Sequence, residues 1–253
     1  MALSINFYDQ YLLITGGTRG IGAAVAQEAI ESGGHVVITG TASEPPAWLA
    51  ECQQRFPAQQ LGYEQLDLAA DDWLARVDAI VAAYPAFSVL INNAGITRPS
   101  DIRDEELTEF AKVIQVNLTA PAMLSARVAL GMTAQCYGRI VNISSVLGIT
   151  SIKGRAAYSS TKTGIIGQTR SCALDFAPDG ILINAVCPGF VATDMPRATL
   201  GEAGLQKLAQ ERIPLGRVAE PADLVAPILF LASSLNTYIT GQTLVVDGGY
   251  VIW

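Results

Sequence analysis

Short apolar runs recur along the chain and alternate with longer segments of helical periodicity. Seven such runs occur, at 11–15, 35–39, 61–66, 87–92, 138–144, 180–186 and 243–246. Most are too short for a helix and largely apolar, which is typical of strands that are buried on both faces of a sheet. Helical patterns fall between them, at 22–32, 46–55, 71–84, 104–135, 157–177 and 221–233.

This alternation predicts an α/β fold with one doubly wound parallel sheet of about seven strands and helices on both faces. A single series of strands favours one domain over residues 1–253 rather than two. The least regular segment is 190–218. Because it is long for a loop, we interpret it as a lid over a substrate.

Composition excludes several classes of function. Hydrophobic residues make up 50% of the 253 positions, enough for a sizeable core, and 16 basic against 23 acidic residues give a net charge of -7. That balance argues against a nucleic-acid partner and against a polybasic membrane anchor. The uncharged stretch 224–246 is interrupted by Pro227 and polar turns, which favours a buried helix, a turn and a strand over a membrane span.

Cysteine spacing and the first residues bear on the compartment. The four cysteines form no CxxC pair, which is typical of buried thiols in a reducing environment, and no metal-ligand cluster is visible. The opening MALSINFYDQ lacks the basic and apolar regions of a signal peptide. We therefore expect a cytoplasmic protein with no metal.

A glycine-rich turn follows the first apolar run. TGGTRGIG, residues 15–22, places Gly16, Gly20 and Gly22 between a strand and a helix. Glycines allow the backbone to approach a ligand, and the N-terminus of the next helix favours an anion such as pyrophosphate. The turn is not a P-loop, because no G-K-[ST] follows, and Val25 replaces the last glycine of G-x-G-x-x-G.

Tyr158 and Lys162 share one face of a predicted helix in AAYSSTK. An ammonium about 4 Å from a phenolate, at an effective dielectric near 20, would stabilise it by roughly 4 kcal/mol. That corresponds to a pKa lowered by about three units, toward working pH. The alternative is an ordinary helix surface that carries a tyrosine and a lysine.

Three further loops should open on the same edge of the sheet as the glycine-rich turn. NNAG (92–95), the pair Ser144 and Ser145, and PGFVAT (188–193) each follow a predicted strand. The carboxyl ends of parallel strands are where open α/β sheets bind ligands. The sequence thus predicts a cofactor cleft with a proton-transfer group inside it.

On TGGTRGIG, NNAG, SSVLG, YSSTK, PGFVATDM and TGQTLVVDGG, the chain resembles the short-chain dehydrogenase/reductase family from about Tyr11 to Tyr250. The resemblance implies a Rossmann-like oxidoreductase that moves hydride between a nicotinamide and a ketone or secondary alcohol. It also implies a homotetramer, with a dimer as the alternative. The apolar C-terminal run to Trp253 agrees with a subunit interface.

The resemblance assigns four catalytic residues. Tyr158 would be the general acid/base, Lys162 would lower its pKa and bind the ribose, and Ser145 would hydrogen-bond the substrate oxygen. Asn117 would hold a water that links Lys162 to solvent. Ser144 would be structural.

The resemblance also assigns the cofactor contacts. Asp67 would bind the adenine amine, or merely cap a strand end, and Val191 and Thr193 would meet the carboxamide. The full predicted set is Gly16, Thr18, Arg19, Gly20, Ile21, Gly22, Asp67, Leu68, Asn93, Ala94, Gly95, Tyr158, Lys162, Pro188, Gly189, Val191 and Thr193.

The second strand favours NADP(H), with NAD(H) as the alternative. NAD-preferring enzymes carry an acid there for the ribose 2′-OH, but ITGTAS (38–43) has none and Glu44 comes late. Arg19 could meet a 2′-phosphate instead.

The substrate stays open. We expect a carbonyl reductase acting on a small free, CoA-type or sugar-derived substrate, in preference to a 3-oxoacyl-[acyl-carrier-protein] reductase. A non-catalytic nucleotide-binding scaffold is the alternative of another class. Lys153 and Arg155, between the predicted catalytic serine and tyrosine, either meet an anionic substrate or lie in a solvated loop.

An acyl carrier protein is strongly acidic, and two rims of this chain lack the bases that would dock it. MTAQCYGR carries Cys136 with only Arg139 nearby, and LDFAPDG carries Asp175 and Asp179. Arg127 would compensate if it faced the same rim.

Overall fold

The computed structural model describes residues 4–253, apart from the side chain of Pro196. Its sheet contains seven parallel strands in the order β3-β2-β1-β4-β5-β6-β7. The strands are β1 (Tyr11–Ile14), β2 (His35–Gly40), β3 (Leu61–Gln65), β4 (Val89–Asn92), β5 (Gly138–Ile143), β6 (Ile181–Pro188) and β7 (Thr243–Val246). The predicted doubly wound, Rossmann-like α/β sheet is confirmed, and the order reverses between β1 and β4.

Eight α-helices cover the sheet within the described residues. They are α1 (Gly20–Glu31), α2 (Ala47–Arg55), α3 (Trp73–Ala83), α4 (Leu107–Ile114), α5 (Ala120–Gln135), α6 (Ala156–Phe176), α7 (Asp194–Arg212) and α8 (Pro221–Ala232). A π-helical turn, Gln115–Thr119, joins α4 to α5. Seven of the eight agree with the helical patterns of the sequence.

Two cores lie on opposite faces of the sheet because successive strand residues point to opposite sides. Leu12 and Ile14 of β1 belong to the cluster that includes α1 and α8. Leu13, between them, belongs to the cluster that includes α3 and α5. Both faces of β1 are therefore buried, which explains why its sequence is apolar without alternation.

Segment 190–218 is not the irregular loop that the sequence predicted. Nineteen of its residues form α7, Asp194–Arg212, which Gly201 interrupts with a φ of 63°. Leu205 and Ala209 are buried, whereas most other positions of α7 are exposed. The prediction of irregular structure was wrong because so few apolar side chains face the core that no helical period stands out.

The uncharged stretch 224–246 contains α8, a turn and β7, as its interruptions predicted. A different segment, Leu107–Gln135, is long and apolar enough to cross a membrane by length and composition. Half of its most apolar window is buried inside the protein, where α5 packs against α3 and the central strands.

Candidate active site

The glycine-rich turn lies at the carboxyl end of β1, and α1 begins inside it. Gly16 and Gly20 have φ angles of 63° and 57°, a region that favours glycine. A Cβ on Gly16 would stand 3.0 Å from the Cα of Ala94, so the turn also packs tightly against the loop after β4. The turn therefore exposes backbone rather than side chains to the cleft above it.

Hydrogen bonds join this turn to the NNAG loop. The backbone N–H groups of Asn93 and Ala94 each donate to Thr15 Oγ1 at 3.0 Å. The Asn93 amide donates to the carbonyls of Thr15 and Gly16 at 2.9 and 3.0 Å. Two of the predicted cofactor loops thus form one rigid unit at the point where the strand order reverses.

An open cleft with a volume of about 1330 Å³ runs along the carboxyl edge of the sheet. It is lined by all the predicted cofactor residues except Gly22, together with the predicted catalytic Ser145. Gly22 lies beneath the turn, where a Cβ would meet the Gly16 carbonyl oxygen at 2.3 Å. Gly22 therefore does not line the cleft, and the close packing of α1 against the turn requires a glycine there.

Tyr158 and Lys162 lie one turn apart on α6 and face the cleft. The Lys162 ammonium donates to the Ile143 carbonyl at 2.8 Å and lies 5.6 Å from the centre of the Tyr158 ring. Ser144 donates from its hydroxyl to the Lys162 carbonyl at 2.7 Å, which ties the end of β5 to α6. Ser145 begins the next turn, where its hydroxyl accepts from Leu147 N–H at 3.1 Å.

The charges of this group differ from the sequence-based expectation. Burial raises the pKa of the Tyr158 phenol above its ordinary value, although a hydrogen bond from Ser145 and the charge of Arg155 act to lower it. Burial also lowers the pKa of Lys162 to about 8. The phenol's pKa is thus raised rather than lowered as the sequence predicted, because loss of solvation outweighs the hydrogen bond from Ser145 and the charge of Arg155; a lowering contribution from Lys162 stays a prediction.

Asn117 occupies the π-helical turn between α4 and α5 and does not line the cleft. Its Oδ1 accepts from Ile96 N–H, and its Nδ2 donates to the Ile96 carbonyl, both at 2.8 Å. It also donates to Thr161 Oγ1 at 3.3 Å. Asn117 thus links the loop after β4 to the helix that carries Tyr158 and Lys162; whether it also holds a water stays a prediction. Single π-helical turns like the one that carries Asn117 are frequent at functional sites.

The end of β2 also contributes to the cleft, at the place where the sequence analysis looked for an acid that would bind the ribose 2′-OH. Thr39, Gly40 and Thr41 line it. A Cβ on Gly40 would stand 2.5 Å from Thr18 Cγ2, so β2 lies directly beside the glycine-rich turn. The sequence indicated this position because the first two strands follow one another in the chain and are expected to lie side by side. No acidic side chain follows β2 before Glu44.

Arg19 and Asp67 are both solvent-exposed at the rim of the cleft. Arg19 forms an ion pair with Asp194 at 3.4 Å, with both side chains largely exposed. Such a pair contributes little, about 0–1 kcal/mol, so it leaves the guanidinium available to an anion. Asp67 accepts from Ala69 N–H at 2.9 Å. This local hydrogen bond is the capping role that the sequence analysis gave as the alternative to an adenine contact.

A smaller pocket of about 80 Å³ opens from the same region. Ser145 and Tyr158 line both the pocket and the cleft, so the reacting groups stand where the two meet. Arg155 also lines the pocket and is only 9% exposed. Lys153 is exposed and lies outside it, so the structure separates the two cations that the sequence left together.

Across residues 4–253, no group of three or more His, Cys, Asp and Glu residues lies close enough to hold a metal ion. The cleft instead offers glycine backbone, threonine hydroxyls and the exposed guanidinium groups of Arg19, Arg98 and Arg197 to a ligand. This donor set fits a dinucleotide, whose pyrophosphate would approach the N-terminus of α1.

Comparison with known proteins agrees with this geometry. A family model described as enoyl-(acyl carrier protein) reductase matches residues 16–251. The 3-oxoacyl-[acyl-carrier-protein] reductase FabG of Aquifex aeolicus is 40% identical and covers 98% of this chain and 99% of its own. FabG of Staphylococcus aureus is 37% identical, over 94% of this chain and 96% of its own.

Two solved structures have the same fold over nearly their whole length. A gluconate 5-dehydrogenase from Burkholderia cenocepacia, in complex with NADP and tartrate, is 31% identical with a TM-score of 0.90 and covers 98% of both chains. A 3-oxoacyl-(acyl-carrier-protein) reductase from Agrobacterium tumefaciens, with NADP bound, is 29% identical with a TM-score of 0.88, over 97% of this chain and 96% of its own. With its sheet order, glycine-rich turn and Ser–Tyr–Lys group, the chain belongs to the short-chain dehydrogenase/reductase family and is an oxidoreductase of that family.

Proposed function

We propose that this protein is an NADPH-dependent reductase of small ketones, with Tyr158 as its proton donor. The observation that carries the proposal is the position of Tyr158. Its side chain lines both the long cleft and the small pocket, with Ser145 beside it. A nicotinamide in the cleft and a carbonyl in the pocket would meet at this phenol.

Each neighbour of Tyr158 has a distinct part in the reaction. A nicotinamide bound in the cleft would supply the hydride to the carbonyl carbon. Ser145 and Tyr158 would hydrogen-bond the carbonyl oxygen, and Tyr158 would give that oxygen its proton. Lys162, fixed by the Ile143 carbonyl, would bind the ribose, and Asn117 positions the loop and helix on which these groups stand.

The protonation state favours reduction over oxidation at neutral pH. Burial raises the pKa of the phenol, so Tyr158 carries its proton at pH 7 and is ready to donate it. Oxidation of an alcohol needs the phenolate and should therefore speed up toward alkaline pH, while reduction should fall there.

The choice of NADP(H) over NAD(H) has two supports. The end of β2 offers Thr39, Gly40 and Thr41 rather than an acid, and Arg19 stands at the rim nearby. The gluconate 5-dehydrogenase and the Agrobacterium reductase were both crystallised with NADP. We expect a higher kcat/KM for NADPH than for NADH, and a clear preference for NADH would overturn this part of the proposal.

Replacement of Tyr158 tests the chemistry. Tyr158→Phe should keep the fold and the affinity for NADPH, measured by fluorescence titration, but lose at least about 100-fold in turnover. Tyr84→Phe is the matched control, because its hydroxyl donates to Glu64 away from the cleft and its loss should leave turnover unchanged. Near-normal turnover in Tyr158→Phe would refute the assignment, and NADPH binding without turnover of any ketone would favour the scaffold alternative.

The substrate is a small free ketone, a CoA-type thioester or a sugar-derived carbonyl. The names of the FabG relatives support a second candidate, reduction of 3-oxoacyl groups on acyl carrier protein. The difference between these candidates lies in surface charge, not in the reacting groups.

We also propose a cytoplasmic homotetramer. Large apolar side chains are exposed on helices and at the C-terminus: Leu107, Leu130, Leu174, Ile252 and Trp253 are between 72% and 87% exposed. Exposed apolar patches of this kind mark interaction sites. Light scattering should give the mass of four subunits; a stable monomer at micromolar concentration would contradict the proposal.

A further inference from the structure

Two buried arginines in this protein have opposite surroundings. Arg139 is 6% exposed and donates to the carbonyls of Ser233, Gly138 and Gly180 at 2.8 to 3.4 Å. Its guanidinium also lies 4.4 Å from the centre of the Tyr137 ring. The hydrogen-bonding capacity of Arg139 is thus used by the protein itself, which is what a structural arginine requires.

Arg155 is nearly as buried but has only one side-chain hydrogen bond among the described residues, from Nη1 to Thr97 Oγ1 at 2.9 Å. No carboxylate of residues 4–253 lies within ion-pair distance of it. A guanidinium has five N–H donors in a planar fork that matches a carboxylate. Most of these N–H donors therefore have no partner in the part of the protein that the structure describes. Burial of an unpaired charge costs free energy, so the arrangement needs an explanation.

Arg155 lies beside the reacting group. Arg155 immediately precedes α6, three residues before Tyr158, and both line the small pocket. The two side chains are close enough that the charge of Arg155 stabilises the Tyr158 phenolate. An anion bound by Arg155 would thus sit beside the carbonyl that Tyr158 protonates.

The rest of the pocket limits the substrate's size and polarity. Its volume of about 80 Å³ is small beside the volume of about 1330 Å³ of the cleft from which it opens. Its walls are mainly apolar and are formed by Val146, Leu147, Ile152, Phe190, Met195 and Leu200. A polyhydroxylated chain would leave several hydroxyl groups without partners there, whereas a short alkyl chain would not.

We propose that the physiological substrate is a short aliphatic oxo acid whose carboxylate forms a bidentate pair with Arg155. This inference rests on the proposed function, and it narrows the substrate to one charged class. A buried pair of this geometry provides both binding energy and orientation, because the two parallel N–H···O bonds fix the carboxylate plane. The neutral ester of the same acid would leave Arg155 buried and unpaired.

The test compares acids with their methyl esters. Pyruvate, 3-oxobutanoate and 4-oxopentanoate are each assayed with NADPH beside their methyl esters, which differ in charge but hardly in shape. The wild-type enzyme should reduce one of the acids with a kcat/KM about 100-fold above that of its ester. In Arg155→Gln this ratio should fall to near one, because kcat/KM for the acid falls while that for the ester does not. Arg155→Lys should keep part of the preference for the acid.

Lys153→Gln is the matched control. It also removes one positive charge, but from an exposed side chain that stands two positions before Arg155 in the chain. It should leave the ratio unchanged, which excludes a general effect of net charge. Butanoate and butanamide supply a second readout, by equilibrium calorimetry on the enzyme with NADP+, that does not depend on turnover: only butanoate should bind, and Arg155→Gln should abolish that binding. Thermal unfolding verifies that each variant is folded.

Three results would overturn the inference. Esters reduced as well as acids by the wild-type enzyme would show that Arg155 recognises no carboxylate. Equal losses on acid and ester in folded Arg155→Gln, with an upward shift in the pKa of the pH–rate profile, would show that Arg155 only tunes Tyr158. No reduction of any ketone, charged or neutral, would instead refute the proposed function on which this inference rests.

Discussion

Three cations are buried in the part of the chain that the structure describes, and each is stabilised differently. Arg139 donates to three carbonyls, whereas Arg155 has one hydroxyl partner and is otherwise open to the small pocket. Lys162 has one carbonyl partner, and burial lowers its pKa to about 8. The two cations with the fewest partners are the two at the reacting site, where function rather than stability explains them.

Lys162 should therefore destabilise the fold while it supports the chemistry. The residue is 4% exposed, and its pKa is lowered from the ordinary value of 10.5. Replacement by methionine, which has similar length and no charge, should raise the free energy of unfolding by about 1–2 kcal/mol at pH 7 and abolish turnover. This estimate allows for the lost hydrogen bond to Ile143.

The gain in stability of Lys162→Met should depend on pH, because Lys162 has a different pKa in the folded and in the unfolded protein. Between pH 8 and 10.5 the unfolded Lys162 still binds a proton that the folded one has lost, so wild-type stability gains relative to the variant as pH rises. Urea unfolding at pH 7 and pH 10 should show the advantage of Lys162→Met shrinking. Lys153→Met, on an exposed side chain, should show no such trend; a Lys162→Met protein less stable than wild type at pH 7 would contradict the argument.

The sequence predicted which side chains come together better than it predicted their charge states. The helix places Tyr158 and Lys162 on one face by spacing alone, so their juxtaposition is a local property. The raised pKa of the phenol is not local, because Tyr158 packs against a cluster that includes Phe190 and Tyr250 from later elements. The same holds for Lys153 and Arg155, which only tertiary packing distinguishes.

At the scale of elements, the strands were predictable because both faces of the sheet are covered. Every residue of β4 and β5 is buried, and such runs stand out in the sequence. The helix α7 was missed for the opposite reason, since Leu205 and Ala209 are its main buried positions and Gly201 interrupts its backbone. A helix with so few side chains that face the core leaves little hydrophobic periodicity.

The start of α1 gives a prediction at this scale. A Cβ at Gly22 would stand 2.3 Å from the Gly16 carbonyl oxygen and 2.5 Å from Asn93 Nδ2. Gly22→Ala should thus push the turn away from the NNAG loop, weakening NADPH binding at least about 10-fold and destabilising the protein by about 1–3 kcal/mol. Fluorescence titration and urea unfolding measure the two effects.

Gly167→Ala is the matched control for that substitution. Gly167 lies within α6, is exposed, and has no atom within 4 Å of the position of its Cβ. There alanine should stabilise the protein by about 0.5–1 kcal/mol, because it lowers the conformational freedom of the unfolded chain, and NADPH affinity should not change. Unchanged NADPH affinity in Gly22→Ala would argue against the close packing that we describe.

At the scale of the whole molecule, the two rims suited to carrier docking are close together and lack free bases. Thr133, near the end of α5, donates to Asp179 in the turn after α6 at 2.9 Å, so both rims form one surface. Arg139 is buried and used by backbone carbonyls, and Arg127 pairs with Asp78 at 2.7 Å. The sequence left open whether Arg127 replaces the missing bases. Asp78 largely neutralises its charge, so Arg127 offers little attraction to an acidic carrier.

Surface charge therefore argues against a carrier-bound substrate, although the reacting groups would accept one. Cys136 and Asp175 are exposed on this surface, and the net charge of -7 adds repulsion at longer range. Like charges that face each other cost several kcal/mol and slow association, more at low salt than at high salt. We expect a 3-oxoacyl group on acyl carrier protein and on a short thiol mimic to react with kcat/KM values within about 10-fold of each other.

Charge reversal on this surface provides the decisive comparison. Asp179→Lys should raise kcat/KM for the carrier-bound substrate severalfold at low salt, lose that gain as salt rises, and leave the thiol mimic unaffected, because complementary charge acts mainly on the association rate. Glu51→Lys, on the exposed face of α2 beyond the opposite edge of the sheet, changes net charge equally and should give a much smaller effect. A wild-type preference of about 100-fold for the carrier, fading with salt, would instead mean that another basic surface docks it, and the protein would then be a carrier-dependent reductase like the FabG proteins that it resembles.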